Sequence, residues 1–315
     1  MNIEGKGVKL MINIIGKKRL EGIIPASILP VNENGKINFK FLEKQVAYLI
    51  SAGVDGLFIN GTTGEGAWLT IEEKIQVIKT IKEISKGKVF LCAACLQPST
   101  EMVINEIRAF EKYEPDYIVA VTPYYYSVPQ EAIMEHFKKI AHYSSVPLII
   151  YNIPQCTHNK MELITILELA QEENIAGIKD SSGDFISFTR GVYTPVPNSF
   201  SWVQGEDYLD GPAFNIGADG IVTGLGNVFI EPYVRMYEEA KKGNYQEVNE
   251  IQKRINELYE IIQLTGGEVI PAIKSGAALL GRSTKWMKMF SLTLGKEDIE
   301  KVKRVIIKLG LLSYK

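Results

Sequence analysis

The sequence predicts an α/β fold, a (β/α)8 TIM barrel followed by a C-terminal helical domain. Three observations predict it. Eight short runs rich in Ile, Val, Leu and Phe recur along the chain, most starting about 25 to 35 residues apart, which is the length of a strand-helix unit. The runs are continuously apolar, as strands of a parallel sheet covered on both faces are. The first run is not followed by G-x-G-x-x-G, the turn that opens a doubly wound dinucleotide-binding sheet, so the closed barrel is the better solution. The chain divides into an extension over 1–21, a barrel over 22–242 and a helical domain over 243–315.

The extension carries Leu10-Met-Ile-Asn-Ile-Ile15 ahead of Gly16-Lys-Lys-Arg19. A secretory signal places its positive charges first, so this order predicts a stray strand or a subunit contact instead. The eight strands are read at Gly22-Ile-Ile-Pro-Ala-Ser27, Gly56-Leu-Phe-Ile-Asn60, 89–94, Tyr117-Ile-Val-Ala-Val121, Leu148-Ile-Ile-Tyr151, Ile175-Ala-Gly-Ile-Lys179, Phe200-Ser-Trp-Val203 and Gly220-Ile-Val-Thr223. Helices fall between them. Over 39–52, Phe41, Leu42, Val46, Leu49 and Ile50 form one apolar stripe, and Thr70-Ile-Glu-Glu73 is a capping box opening 71–84. Segments 102–110, 132–141, 163–170 and 232–240 have the same period, and beyond residue 242 only helices are read, at 245–264, 269–280 and 297–311.

Composition narrows the function. Thirty-five Lys and Arg against 37 Asp and Glu give a net charge of −2, with no basic footprint for nucleic acid. No apolar stretch reaches the roughly 20 residues of a membrane helix, so a soluble, cytoplasmic protein is expected. Three cysteines make no disulfide scaffold. Cys92-Ala-Ala-Cys95 has the spacing of a redox pair or half a zinc site, but it lies in a strand, where residues three apart face opposite ways, and it reads as buried packing. His136, His142 and His158 are dispersed; no metal and no organic cofactor is assigned.

In such a barrel the chemistry sits where the strands end at their C-terminal side. That rule selects Gly61-Thr-Thr-Gly-Glu65, Thr122-Pro-Tyr-Tyr-Tyr126, Tyr151-Asn-Ile-Pro154, Lys179, Gly205-Glu-Asp207 and Gly224-Leu-Gly226. Lys179 ends an apolar strand, where desolvation lowers an amine's pKa and leaves it nucleophilic enough to form an imine; the bland alternative is a lysine facing solvent. Tyr151 ends the strand beside it and is either a core aromatic or the group that moves protons at that imine. Thr62 and Thr63 stand between glycines before a helix, where free amides and hydroxyls hold a carboxylate. Tyr124, Tyr125 and Tyr126 are a packing cluster or lend a hydroxyl. Gly224-Leu-Gly226 reads first as tight backbone packing and second as a phosphate turn.

Taken together, Gly61-Thr-Thr-Gly-Glu65, Tyr151-Asn-Ile-Pro154 and Gly177-Ile-Lys-Asp180, in that order, resemble the dihydrodipicolinate synthase and N-acetylneuraminate lyase family of pyruvate-dependent class I aldolases. The likeness runs from about Gly22 to the C-terminus. It implies a barrel with a helical C-terminal domain, a homotetramer built as a dimer of dimers, and pyruvate plus a small aldehyde as substrates. It makes Lys179 the Schiff-base lysine and Tyr151 the acid/base. Thr62 and Thr63 hold the pyruvate carboxylate, Thr62 links Tyr151 to Tyr125 of a neighbouring subunit, and the Val222 carbonyl and Gly205 lie beside bound pyruvate.

Two departures bear on the aldehyde. Synthases of this family carry an arginine where Cys156 stands, to grip the carboxylate of aspartate semialdehyde, and a thiol is no substitute unless Lys160 reaches in. Sialic-acid lyases carry an acid where Tyr208 stands, with Glu206 and Asp207 adjacent. The expectation is therefore an aldolase for 2-keto-3-deoxy sugar acids, with Tyr126, His158, Glu206 and Asp207 near the polyol end. The synthase is the first alternative and a catalytically retired binding barrel the second. Ile71 and Lys74 stand where synthases often hold lysine, so lysine inhibition is not expected.

Overall fold

The computed structural model describes residues 19–313; the extension predicted over 1–21 falls almost wholly outside them. Among the described residues, eight parallel strands form one sheet: β1 (Gly22–Ile23), β2 (Gly56–Ile59), β3 (Phe90–Cys95), β4 (Tyr117–Val121), β5 (Leu148–Asn152), β6 (Ile175–Asp180), β7 (Ser201–Gln204) and β8 (Gly220–Ile221). From β2 to β8 each strand pairs with its sequence neighbour, and β1 pairs with β8 at Gly22–Gly220 and Ile23–Ile221. The ring closes between β1 and β2 just past the end of β1: the Ala26–Phe58 bridge is parallel, and Phe58 N–H donates to the Pro25 carbonyl at 3.0 Å. The fold is a (β/α)8 barrel.

Strand pleating accounts for the continuous apolar runs. On β3, Cys92 and Ala94 join the interior cluster with Ile24, Phe58, Val119, Tyr151 and Val203, while Leu91, Ala93 and Cys95 join the layer between sheet and helices. Alternate residues serve two cores, so both sets are apolar. Cys92 and Cys95 therefore face opposite ways, both buried and unpaired, as the spacing predicts.

The helices around the barrel are α1 (Phe39–Ser51), α2 (Ile71–Ser85), α3 (Thr100–Phe110), α4 (Gln130–Tyr143), α5 (Pro154–Thr157), α6 (Leu163–Leu169), α7 (Phe185–Val192), α8 (Asp210–Asn215) and α9 (Glu231–Lys241). The capping box opening α2 is present, with the Thr70 side chain accepting from Glu73 N–H and the Glu73 carboxylate accepting from Thr70 N–H. Three short helices, α5, α7 and α8, are absent from the sequence reading; each is of eight residues or fewer. α10 (Tyr245–Gln263), α11 (Val269–Leu279) and α12 (Lys296–Lys308) follow, and their apolar faces, including Val248, Ile255, Leu258, Ile273, Val302 and Ile306, continue the outer core. Arg282 fastens this tail to the barrel: its guanidinium lies 3.6 Å from the Tyr48 ring centroid and donates to the Val228 carbonyl at 2.5 Å.

Candidate active site

The register of β5 against β6 sets Tyr151 opposite Lys179 and Asn152 opposite Asp180. Tyr151 and Lys179 therefore project to the same face, into the barrel's interior, at the C-terminal ends of adjacent strands. The Lys179 side chain enters a cage of rings, its Nζ 4.1 Å from the Tyr151 ring centroid and 4.2 Å from that of Phe58. Those rings meet edge-on at 5.8 Å. Lys179 is 5% exposed and has no ion pair among the described residues. An amine so enclosed has lost most of its water and gains only the ring quadrupoles in exchange.

The neighbouring acid does not neutralise it. Asp180 accepts from Asn152 Nδ2 at 3.0 Å and from Ser182 N–H at 3.1 Å. Burial raises its pKa, against the lowering effect of those hydrogen bonds. Gly205 lies on the other flank of Lys179. A Cβ there would stand 2.3 Å from Ser181 Oγ and 2.9 Å from Lys179 Cε, so only glycine leaves the amine its place.

The Thr62-Thr63 turn leaves β2 at the same end. Glu65 N–H returns to the Thr62 carbonyl at 3.0 Å and Gly66 N–H to the Gly61 carbonyl at 2.9 Å. The N–H groups of Thr62 and Thr63 find no acceptor among the described residues, and such adjacent free amides form a nest for an anion. Gly66 is forced by close approach, since a Cβ would be 1.7 Å from the Asn60 carbonyl oxygen. The Val222 carbonyl likewise accepts nothing among the described residues, although Val222 N–H is held by Gln204.

A cavity of about 220 Å³ adjoins this site, lined by Thr62, Glu65, Tyr124, Cys156, Thr157 and Ile270 among others. Lys179 and Tyr151 do not line it; Tyr151 belongs to the interior cluster whose Leu96, Val121 and Ile153 form part of its wall, and Lys179 lies against the Tyr151 ring. Burial raises the Cys156 thiol pKa, with the Lys179 charge acting against it. No Lys or Arg lines the cavity.

Lys160 points elsewhere: its Nζ pairs with Asp184 Oδ2 at 2.6 Å, on the outer surface. The cation that could have replaced an arginine is thus not in the cavity. Tyr125 is 84% exposed, outside the cavity, with its ring edge-on to Tyr126 at 5.0 Å. In the single chain it does not meet Tyr151.

Asp207 corrects the expectation of a polyol contact. Its carboxylate accepts from Thr223 Oγ1 at 2.5 Å and Tyr233 OH at 2.8 Å, and more weakly from the N–H groups of Gly224 and Leu225. The acid is consumed in joining β7 to β8, and burial raises its pKa. The same bonds answer the phosphate question, because a carboxylate occupies the turn's amides. Tyr208 faces the tail, where its hydroxyl accepts from Gln263 Nε2 at 2.8 Å. His136 and His142 lie on α4, and His158 ends α5.

Residues 19–308 match the sequence profile described as the dihydrodipicolinate synthetase family. The chain belongs to this family. Among its curated relatives, the 4-hydroxy-tetrahydrodipicolinate synthase of Methanopyrus kandleri is 34% identical over 297 residues, covering 93% of this chain and 98% of that one. That of Archaeoglobus fulgidus is 30% identical, covering 93% and 99%. Among solved structures, dihydrodipicolinate synthase from Aquifex aeolicus superimposes with a TM-score of 0.86 at 28% identity, covering 93% of this chain and 99% of that one. Membership in the dihydrodipicolinate synthetase family makes the chain a lyase-class enzyme, and the relatives' names favour the synthase over the sugar-acid aldolase expected from the sequence.

Proposed function

We propose that this protein joins pyruvate to an aldehyde, or separates them, through a Schiff base on Lys179. The observation that carries the reading is the lone amine of Lys179 enclosed by Phe58 and Tyr151 at the end of the barrel where β2 leads into the free amides of Thr62 and Thr63. The amine adds to C2 of pyruvate and water leaves, giving a protonated imine. That cation withdraws electrons from C3, which loses a proton to form an enamine, and C3 then attacks the aldehyde carbon. Hydrolysis or internal attack by an amine on the product releases Lys179. Tyr151 carries the protons, Thr62 and Thr63 hold the carboxylate with Gly205 and the Val222 carbonyl alongside, and Tyr125 completes the relay from a neighbouring subunit of a homotetramer.

For the aldehyde, the names of the relatives support aspartate semialdehyde, making the enzyme a 4-hydroxy-tetrahydrodipicolinate synthase. One observation favours a second reading, a 2-keto-3-deoxy sugar acid aldolase: the cavity wall carries Cys156 and no cation for a second carboxylate. In either case free lysine is not expected to inhibit, since Lys74 Nζ is itself buried against Glu106 at 2.5 Å.

Pyruvate with borohydride should add a reduced pyruvyl group to the wild-type mass and none to Lys179→Ala. An unmodified wild type would instead support a retired barrel. Comparing kcat/KM for aspartate semialdehyde, glyceraldehyde, N-acetylmannosamine and glyoxylate then chooses the aldehyde, with a preference of about tenfold or more deciding between the two readings.

A further inference from the structure

α11 belongs to the helical tail, yet it forms part of the mouth of the barrel. Ile270 lines the cavity, and Ile273 Cδ1 comes within 3.2 Å of where a Cβ on Gly224 would stand. Lys274 reaches farther, its Nζ lying 2.5 Å from Glu65 Oε1. Both side chains are 0% exposed. The second oxygen of Glu65 accepts the backbone N–H of Lys288 at 2.7 Å, so the carboxylate is held twice by the tail and by nothing else among the described residues.

Glu65 closes the Thr62-Thr63 turn. It has φ of 57°, a left-handed conformation that is unfavourable for a non-glycine residue. The turn's own hydrogen bonds, from Glu65 to Thr62 and from Gly66 to Gly61, are local and do not fix its position over the barrel. A buried ion pair is a poor source of net stability, because desolvation of two charges offsets most of their attraction. What it does supply is direction: two charges without water have one low-energy arrangement. Burial also lowers the Lys274 pKa, while the Glu65 charge opposes that shift, so the amine depends on this single partner.

We propose that Lys274 is a positioning residue for pyruvate: by holding Glu65 it sets the Thr62-Thr63 turn, so that the helical tail controls the affinity of the barrel's carboxylate site. The proposal rests on the reading of Thr62 and Thr63 as that site. A role in folding alone would change stability and leave substrate affinity untouched, which gives the test its contrast.

The test is borohydride trapping of the imine over a range of pyruvate concentrations, with melting temperatures alongside. The proteins are the wild type, Lys274→Arg, Lys274→Met and the double variant Glu65→Gln with Lys274→Met. In Lys274→Met the half-saturating pyruvate concentration should rise about tenfold or more, with the trapping rate at saturation within about threefold of wild type. Lys274→Arg should recover part of the affinity. The double variant removes the uncompensated buried charge, and should regain melting temperature without regaining affinity. Should Lys274→Met not fold, the double variant supplies the same comparison. Half-saturation within about twofold of wild type in either variant, or joint recovery of stability and affinity in the double, overturns the proposal. A wild type that traps no pyruvate overturns the Schiff-base reading and this inference with it, whereas normal trapping in both variants overturns the inference alone.

Discussion

His136 shows how far a single residue's chemistry depends on what surrounds it. Its Nδ1 lies 2.9 Å from Thr100 Oγ1 and its Nε2 3.1 Å from the Val121 carbonyl, between α3, α4 and the end of β4. Burial lowers its pKa from 6.5 to about 4. The folded protein therefore binds this proton less readily than the unfolded chain. The corresponding stability is complete above pH 6.5 and is lost as pH falls toward 4, by up to about 3 kcal/mol. Urea unfolding at several pH values should give a wild-type curve that declines through this window more steeply than that of His136→Gln; parallel curves would refute the assignment. The sequence places His136 on a helix and says nothing of its titration, since the two partners are 36 and 15 residues away. Lys179 is the opposite case. The end of an apolar barrel strand already identifies it, but its ring cage needs Phe58 from β2 and Tyr151 from β5.

At the scale of elements, most of the helices visible in the sequence carry an apolar stripe over several turns. α7 has neither the length nor the composition, with Ser187, Thr189 and Gly191 in an eight-residue helix whose start is marked by the side chain of Asp184 accepting from Ser187 N–H. It is helical because of what it packs on. A Cβ at Gly191 would stand 2.2 Å from Trp202 Cη2, so the helix lies directly on β7. Gly191→Ala is a better helix former in isolation, but here it should destabilise by roughly 1–3 kcal/mol through overpacking. Chemical denaturation measures this, and an unchanged or raised midpoint would show that Trp202 moves freely. α8 is similar, being a six-residue helix containing Gly211 and Pro212 whose Gly211 N–H donates to Gln252 Oε1 on α10 at 2.7 Å. Its partner lies 41 residues on.

The whole molecule raises the question of Tyr125, which is exposed on the catalytic face with φ of 79°. A large aromatic in a left-handed conformation at the surface is costly in an isolated chain. In the proposed homotetramer that ring enters a neighbour's site, so Tyr125→Phe should lower kcat about a hundredfold, the worth of a lost proton carrier, while leaving the pyruvate imine on Lys179 trappable. Light scattering should report a tetramer of the 35.2 kDa chain for both proteins. A fully active Tyr125→Phe variant would remove the residue from the relay. Along the chain, no helix among the described residues is long and apolar enough to cross a membrane.

The sequence by itself determined the eight strands, the longer helices and the family, because each is written locally: period, capping and three short motifs at strand ends are read within a dozen residues. It also marked Lys179, Tyr151, Thr62 and Thr63, since the C-terminal ends of barrel strands are identifiable once the strands are. Only the tertiary structure decided which polar groups are already spent. Asp207 is taken by Thr223 and Tyr233, Lys160 by Asp184, and Glu65 by Lys274 at a distance of 209 residues. Partnership between buried polar groups depends on distance in space, and a sequence records that distance only where the chain itself is short.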